Sequence, residues 1–164
     1  MLSQALKLAQ WKRLLSHIPH NERFQERKAR QGFFEHEEFE RLVSHLPDYL
    51  ADFVTLAYWS GWRKGEIAAL EWRDIQGNVI RLRPEVSKTH EGRLLTLNRE
   101  LQDLIARRRE TRHQLVPLVF HREGYPVYEF RKSWRTACKA AGCEGKLFHD
   151  LRRAAVRNMV FVDA

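Results

Sequence analysis

The run Gly61-Trp62-Arg63-Lys64-Gly65-Glu66-Ile67-Ala68-Ala69-Leu70-Glu71-Trp72-Arg73-Asp74-Ile75 is the most informative part of this 164-residue chain. It opens on a glycine placed to end a helix. It then sets Arg63 and Glu66 three residues apart on a predicted short helix, close enough to pair. An arginine offers a planar, permanently charged fork that grips two phosphate oxygens, and Glu66 is placed to hold that fork. Taken alone, such a pair is more often an ordinary surface ion pair; its surroundings give it weight.

Upstream, Phe39, Leu42, Val43 and Leu46 keep the spacing of one helix face, and Leu50, Phe53, Val54 and Ala57 keep that of another. Pro47-Asp48 divides the two. Residues 64–70 form the next short helix. Then the period changes. Residues 79–83 and 93–97 read as short strands, with Ser87-Lys88-Thr89-His90-Glu91-Gly92 as the hairpin tip and Gly92 supplying conformational freedom. Leu101, Leu104 and Ile105 begin a helix that carries Arg107, Arg108, Arg109 and Arg112. Residues 116–120 form a short apolar segment, and Gly124-Tyr125-Pro126 reads as a turn. Phe130, Trp134, Ala137 and Ala141 line a helix ending at Gly142. Leu151, Ala154, Ala155, Asn158, Met159 and Val162 mark the last helix.

Residues 2–15 read as an N-terminal helix ended by Pro19, and residues 21–31 as a polar linker with a basic bias. The expected division is therefore 1–31, a helix and basic linker, and 32–164, the main domain. The fold class is α+β, mainly helical, with one small antiparallel sheet.

Composition narrows the function classes. With 43% hydrophobic residues the chain has material for a core. No apolar run approaches the roughly 18 residues that span a bilayer, and the N-terminus lacks a signal peptide's pattern. A cytoplasmic protein with no membrane partner is the expectation. A net charge of +8 favours an anionic partner, with nucleic acid first, or else simply keeps the protein soluble. Cys138 and Cys143 have neither the partner cysteines nor the histidine spacing of a zinc site, so they read as reduced thiols and no metal is expected. Trp59, Trp62, Trp72 and Trp134 read as packing residues. The cluster at Arg107, Arg108, Arg109 and Arg112 reads either as a solvated helix face or as a contact to a DNA backbone.

Two further signals accompany Arg63 and Glu66. Lys88 sits at the predicted hairpin tip, where a long flexible cation reaches a substrate the strands do not touch. Phe148-His149-Asp150-Leu151-Arg152-Arg153 places His149 and Arg152 one turn apart on a helix that Asp150 is able to cap. A helix N-terminus favours an anion such as phosphate.

In this order and at these separations, the Arg63–Glu66 box with its Leu70-Glu71-Trp72-Arg73-Asp74-Ile75 run, the Lys88 hairpin and the His149–Arg152 box resemble the catalytic domain of the tyrosine recombinases, the phage-integrase family. The resemblance covers roughly residues 33–159. Arg153 stands where many members carry histidine. The resemblance implies the recombinase catalytic-domain fold, with residues 2–15 as a remnant of a separate DNA-clamping domain. It implies site-specific DNA recombination and integration through a covalent phosphotyrosine link, with no cofactor and with double-stranded DNA and other recombinase subunits as partners. By resemblance, Arg63 and Arg152 neutralise charge on the scissile phosphate, Lys88 protonates the departing 5′ oxygen, His149 handles the proton of the attacking oxygen, and Glu66 orients Arg63. Arg63, Lys88, Arg152 and Arg153 are the expected DNA-binding residues.

The family's nucleophilic tyrosine follows the His149–Arg152 box. Here Tyr49, Tyr58, Tyr125 and Tyr128 all precede it, so no nucleophile is assigned. The expectation is a C-terminally truncated copy, inactive or partial, lacking the last helices of the fold. The alternative is a non-catalytic DNA-binding protein on the same fold.

Overall fold

The computed structural model describes residues 2–18 and 32–162 of the chain. The chain divides into two compact units, residues 1–31 and 32–164. In the first, α1 spans Leu2–Trp11. It is shorter than residues 2–15, and Pro19 is not what stops it. Arg13 adopts a left-handed φ of 56°, the Arg13 N–H donates to the Gln10 carbonyl, and the Leu14 N–H donates to the Ala9 carbonyl. This paired arrangement caps the last orphan carbonyls of a helix, here without the usual glycine. The expected linker at 21–31 lies outside the described residues.

In the second unit, α2 spans His36–Ser44 and α3 spans Asp48–Ser60. Their apolar faces bury Phe39, Leu42, Leu50, Phe53 and Val54 in the core. Glu38 secures the start of α2 by accepting the Glu35 N–H at 3.0 Å. Gly61 ends α3 with φ 62°, and its N–H donates to the Ala57 carbonyl. The short α4, Lys64–Ala68, follows at once.

The sheet is larger than expected. Three antiparallel strands, β1 Ile75–Gln76, β2 Val79–Leu82 and β3 Arg93–Thr96, lie in the order β1-β2-β3. The register pairs Ile75 with Ile80 and Ile80 with Leu95, so one face feeds the core. The β2–β3 connection carries a 3-10 turn at Pro84–Val86, and the left-handed residue in it is His90, φ 56°. Gly92 is needed for a different reason than conformational freedom. A Cβ there would stand 3.3 Å from the Leu82 carbonyl oxygen and 3.4 Å from Pro84 Cγ.

α5 spans Arg99–Glu110, with Asn98 Oδ1 accepting the Leu101 N–H at 3.0 Å. A second, two-stranded sheet that the pattern did not reveal pairs β4, His121–Arg122, with β5, Tyr125–Pro126. Its turn falls on Glu123-Gly124, so Tyr125 and Pro126 belong to a strand. α6 spans Arg131–Ala140 and α7 spans Phe148–Val162.

α7 lies against α3 and buries Leu151, Ala154 and Ala155. An aromatic cluster joins the helices: Phe53 packs edge-on to Phe120 and Phe130, and Trp134 to Phe34 and Phe148. Trp62, Trp72 and Trp134 are buried and Trp59 packs partly buried against the core, as their spacing suggested. No helix among the described residues is long and apolar enough to cross a membrane.

Candidate functional site

The turn after α3 and the first turns of α7 meet at Gly61. A Cβ at Gly61 would approach Ala155 Cβ to 3.2 Å, so α7 passes close over this turn. Arg152 uses that proximity: its Nη1 donates to the Gly61 carbonyl at 2.7 Å. Residues 91 apart in sequence are thereby joined, and Arg63 lies two positions beyond the accepting carbonyl.

Glu66 is the hub. Only 2% of its side chain is exposed. Its Oε1 accepts Arg63 Nη1 at 2.9 Å, and its Oε2 accepts the Arg63 backbone N–H at 2.9 Å. The second oxygen also takes Arg93 Nη2 at 2.8 Å, from the first residue of β3. Burial pushes the Glu66 carboxyl up, but these donors and charges outweigh it and hold the group below its ordinary value. Around one carboxylate stand the guanidinium groups of Arg63, Arg93 and Arg152. Burial lowers the Arg152 pKa, and the nearby charges of Arg63 and Arg93 lower it further against the opposing pull of Glu66. Such mutual repulsion is relieved by an anion, and the forks of Arg63 and Arg152 suit phosphate oxygens.

Of the residues singled out from sequence, the fold gathers Arg63, Glu66 and Arg152 in this way. His149 is exposed and shares a surface cavity of about 330 Å³ with Arg152, Arg153, Val156 and Arg157. Arg153 pairs with Asp150 at 3.4 Å. Lys88 is exposed in the β2–β3 connection and makes no hydrogen bond or ion pair with the described residues. Asp150 sits inside α7 instead of ahead of it. Its buried carboxylate reaches back to accept the Leu147 N–H at 2.8 Å, which fixes the helix start beneath His149.

Two arginines were missed as partners. Arg93 joins the hub from a position 27 residues away. Arg83, half-buried, binds Asp74, Glu71 and the Ala69 carbonyl, and so fastens the end of the arginine box to the sheet. The only sequence signal for either is a basic residue at a strand end opposite an acidic box.

In the basic cluster at the end of α5, Arg107, Arg109 and Arg112 are exposed, and Arg109 makes no ion pair among the described residues. Arg107 pairs with Asp52 at 2.9 Å, Arg108 donates to the Val119 carbonyl, and Arg112 lies over the Trp72 ring. By contrast, Arg131, Lys132, Arg135 and Lys139 on α6 are exposed and form no ion pair among the described residues. Cys138 and Cys143 are buried free thiols.

Residues 32–161 match the phage integrase family. The chain is similar to the integrase of Salmonella phage P22, 28% identical over 141 residues that make up 78% of this chain and 36% of that protein. It is also similar to the ICEBs1 integrase of Bacillus subtilis (strain 168), 25% identical over 121 residues, 63% of this chain and 33% of that protein. The chain thus spans about a third of the length of these curated relatives. Among solved structures, it superposes on a lambda integrase dimer bound to a COC′ core site with a TM-score of 0.73, 20% identity, and coverage of 95% of this chain and 49% of that one. That likeness establishes the fold.

Proposed function

Because this chain belongs to the phage integrase family, the tyrosine recombinases, we propose that residues 32–161 bind duplex DNA at a scissile phosphate and act in site-specific DNA strand breaking and rejoining. Arg63 and Arg152 grip the non-bridging oxygens and neutralise the charge that builds on them during phosphoryl transfer. Glu66 aims Arg63. His149, exposed beside Arg152, exchanges a proton with the attacking tyrosine oxygen, for which no residue of this sequence is assigned, and Lys88, on its connection, gives one to the departing 5′ oxygen. Arg153 adds a backbone contact, and other recombinase subunits on the same DNA are its partners. In this reading α1 is part of a separate DNA-clamping unit.

The observation that carries the reading is the hydrogen bond from Arg152 to the Gly61 carbonyl at 2.7 Å, because it brings the two arginine boxes to one place. Fluorescence anisotropy with a labelled duplex provides the test. Arg63→Ala and Arg152→Ala should each weaken binding about tenfold or more, the scale of a charge-assisted hydrogen bond. Unchanged affinity in both variants would refute the site. A nicked duplex, analysed on a denaturing gel, then separates the two classes of function. A covalent adduct marks strand cleavage, whereas binding without one marks a non-catalytic DNA-binding protein on the same fold.

A further inference from the structure

Arg93 is in an unusual position for a residue that opens an edge of a sheet. Its Nη2 is committed to Glu66 Oε2 at 2.8 Å, and its Nε is buried with no acceptor among the described residues. A buried donor left unpaired is unfavourable and persists where another demand fixes the side chain. That demand is the carboxylate. Glu66 gives Oε1 to the Arg63 guanidinium and shares Oε2 between the Arg63 N–H and Arg93, so each arginine limits how the carboxylate can turn toward the other. Arg93 also marks the end of the connection that carries Lys88, a connection whose base is tight because Gly92 packs against Leu82 and Pro84.

Resting on the phosphate-site reading above, we propose that Arg93 is a positioning residue of that site. By sharing Glu66 it holds the carboxylate that aims Arg63, and it ties the Lys88 connection to α4. In this proposal Arg93, with its Nη2 bonded to Glu66 and its Nε buried, acts indirectly, and the salt slope below tests that against a direct phosphate contact. Its influence on DNA passes through Glu66 and Arg63.

A double-mutant cycle on the full chain tests this. Duplex affinity is measured by anisotropy for the wild type, Arg63→Ala, Arg93→Ala and the double variant, with Arg93→Lys as the conservative change. Arg93→Ala should weaken binding about tenfold alone and have no further effect once Arg63 is alanine, the signature of residues acting as one unit. Arg93→Lys, which keeps a charged donor for Glu66, should recover most of the affinity. The salt slope should stay at its wild-type value in Arg93→Ala, whereas loss of a direct phosphate contact would reduce it by about 0.9. Additive effects, a silent Arg93→Ala or a reduced slope would overturn the positioning role while leaving the site intact. A silent Arg63→Ala would instead overturn the site, and this role with it. Arg93→Gln, which retains a donor without charge, runs the same cycle if Arg93→Ala does not fold, and is expected to behave as Arg93→Ala does.

Discussion

Glu66 carries a charge in a place where an unpaired carboxylate would not stay ionised, and the two arginines on its oxygens keep it so. Arg63 and Arg93 are about a third exposed, which weakens each pair through solvent screening, so the backbone bond from the Arg63 N–H matters as much. Glu66→Gln should lower stability by about 1–3 kcal/mol in denaturant unfolding at neutral pH. The sign of the pH dependence follows from the lowered pKa. The Glu66 contribution is fully present above the unfolded carboxylate value and is lost as pH falls through the folded one, so the wild type should lose its advantage over Glu66→Gln in acid. A difference that persists undiminished into strong acid would contradict this. Cys138 makes an opposite point about burial. Desolvation, reinforced by the neighbouring Cys143, pushes its thiol up to about 12. Native Cys138 should therefore resist iodoacetamide at neutral pH and react once the chain is unfolded, as read by peptide mass mapping. Rapid native alkylation would count against its burial.

At the scale of elements, Gly61 is the hinge between fold and site. Its left-handed φ of 62° ends α3, and the missing Cβ admits Ala155 of α7. Gly61→Ala should cost about 1–2 kcal/mol from backbone strain alone. It should also weaken duplex binding, because it displaces the carbonyl that Arg152 holds. Destabilisation with unchanged DNA affinity would separate the turn from the site. This junction explains what was legible in the sequence. The helices α2, α3, α5, α6 and α7 each announce an apolar face, and the two arginine boxes lie on or beside such helices. β1 and the β4–β5 pair are two residues long and have no period to read, and Pro126 argues against a strand. Arg13 ends α1 in a conformation that its identity does not signal. Arg93 and Arg83 acquire their roles only when the β2–β3 register brings strand ends beside α4 and the turn after it.

At the scale of the molecule, a net charge of +8 says nothing about where an anionic partner would sit, and the ion pairs decide that. α5 ends in the arginine run Arg107-Arg108-Arg109, yet Arg107, Arg108 and, just beyond the helix, Arg112 are occupied by Asp52, the Val119 carbonyl and the Trp72 ring. Their charge serves the fold more than it serves a ligand. α6 is the reverse case: Arg131, Lys132, Arg135 and Lys139 face solvent without an ion pair among the described residues, on a helix with no acidic residue in its first turn. If DNA is the partner, its phosphates take the place of the missing carboxylates on α6. Lys132→Ala and Arg135→Ala should then each lessen the steepness of the log-affinity against log-salt plot by about 0.9 while leaving thermal stability nearly unchanged. Arg107→Ala should do the opposite, leaving the slope intact and lowering stability by up to about 1 kcal/mol through the lost pair with Asp52. Equal slope changes from the two helices would mean that the internal pairs on α5 open on binding. A slope lowered only by the α5 variant would place the DNA on the other face of the molecule.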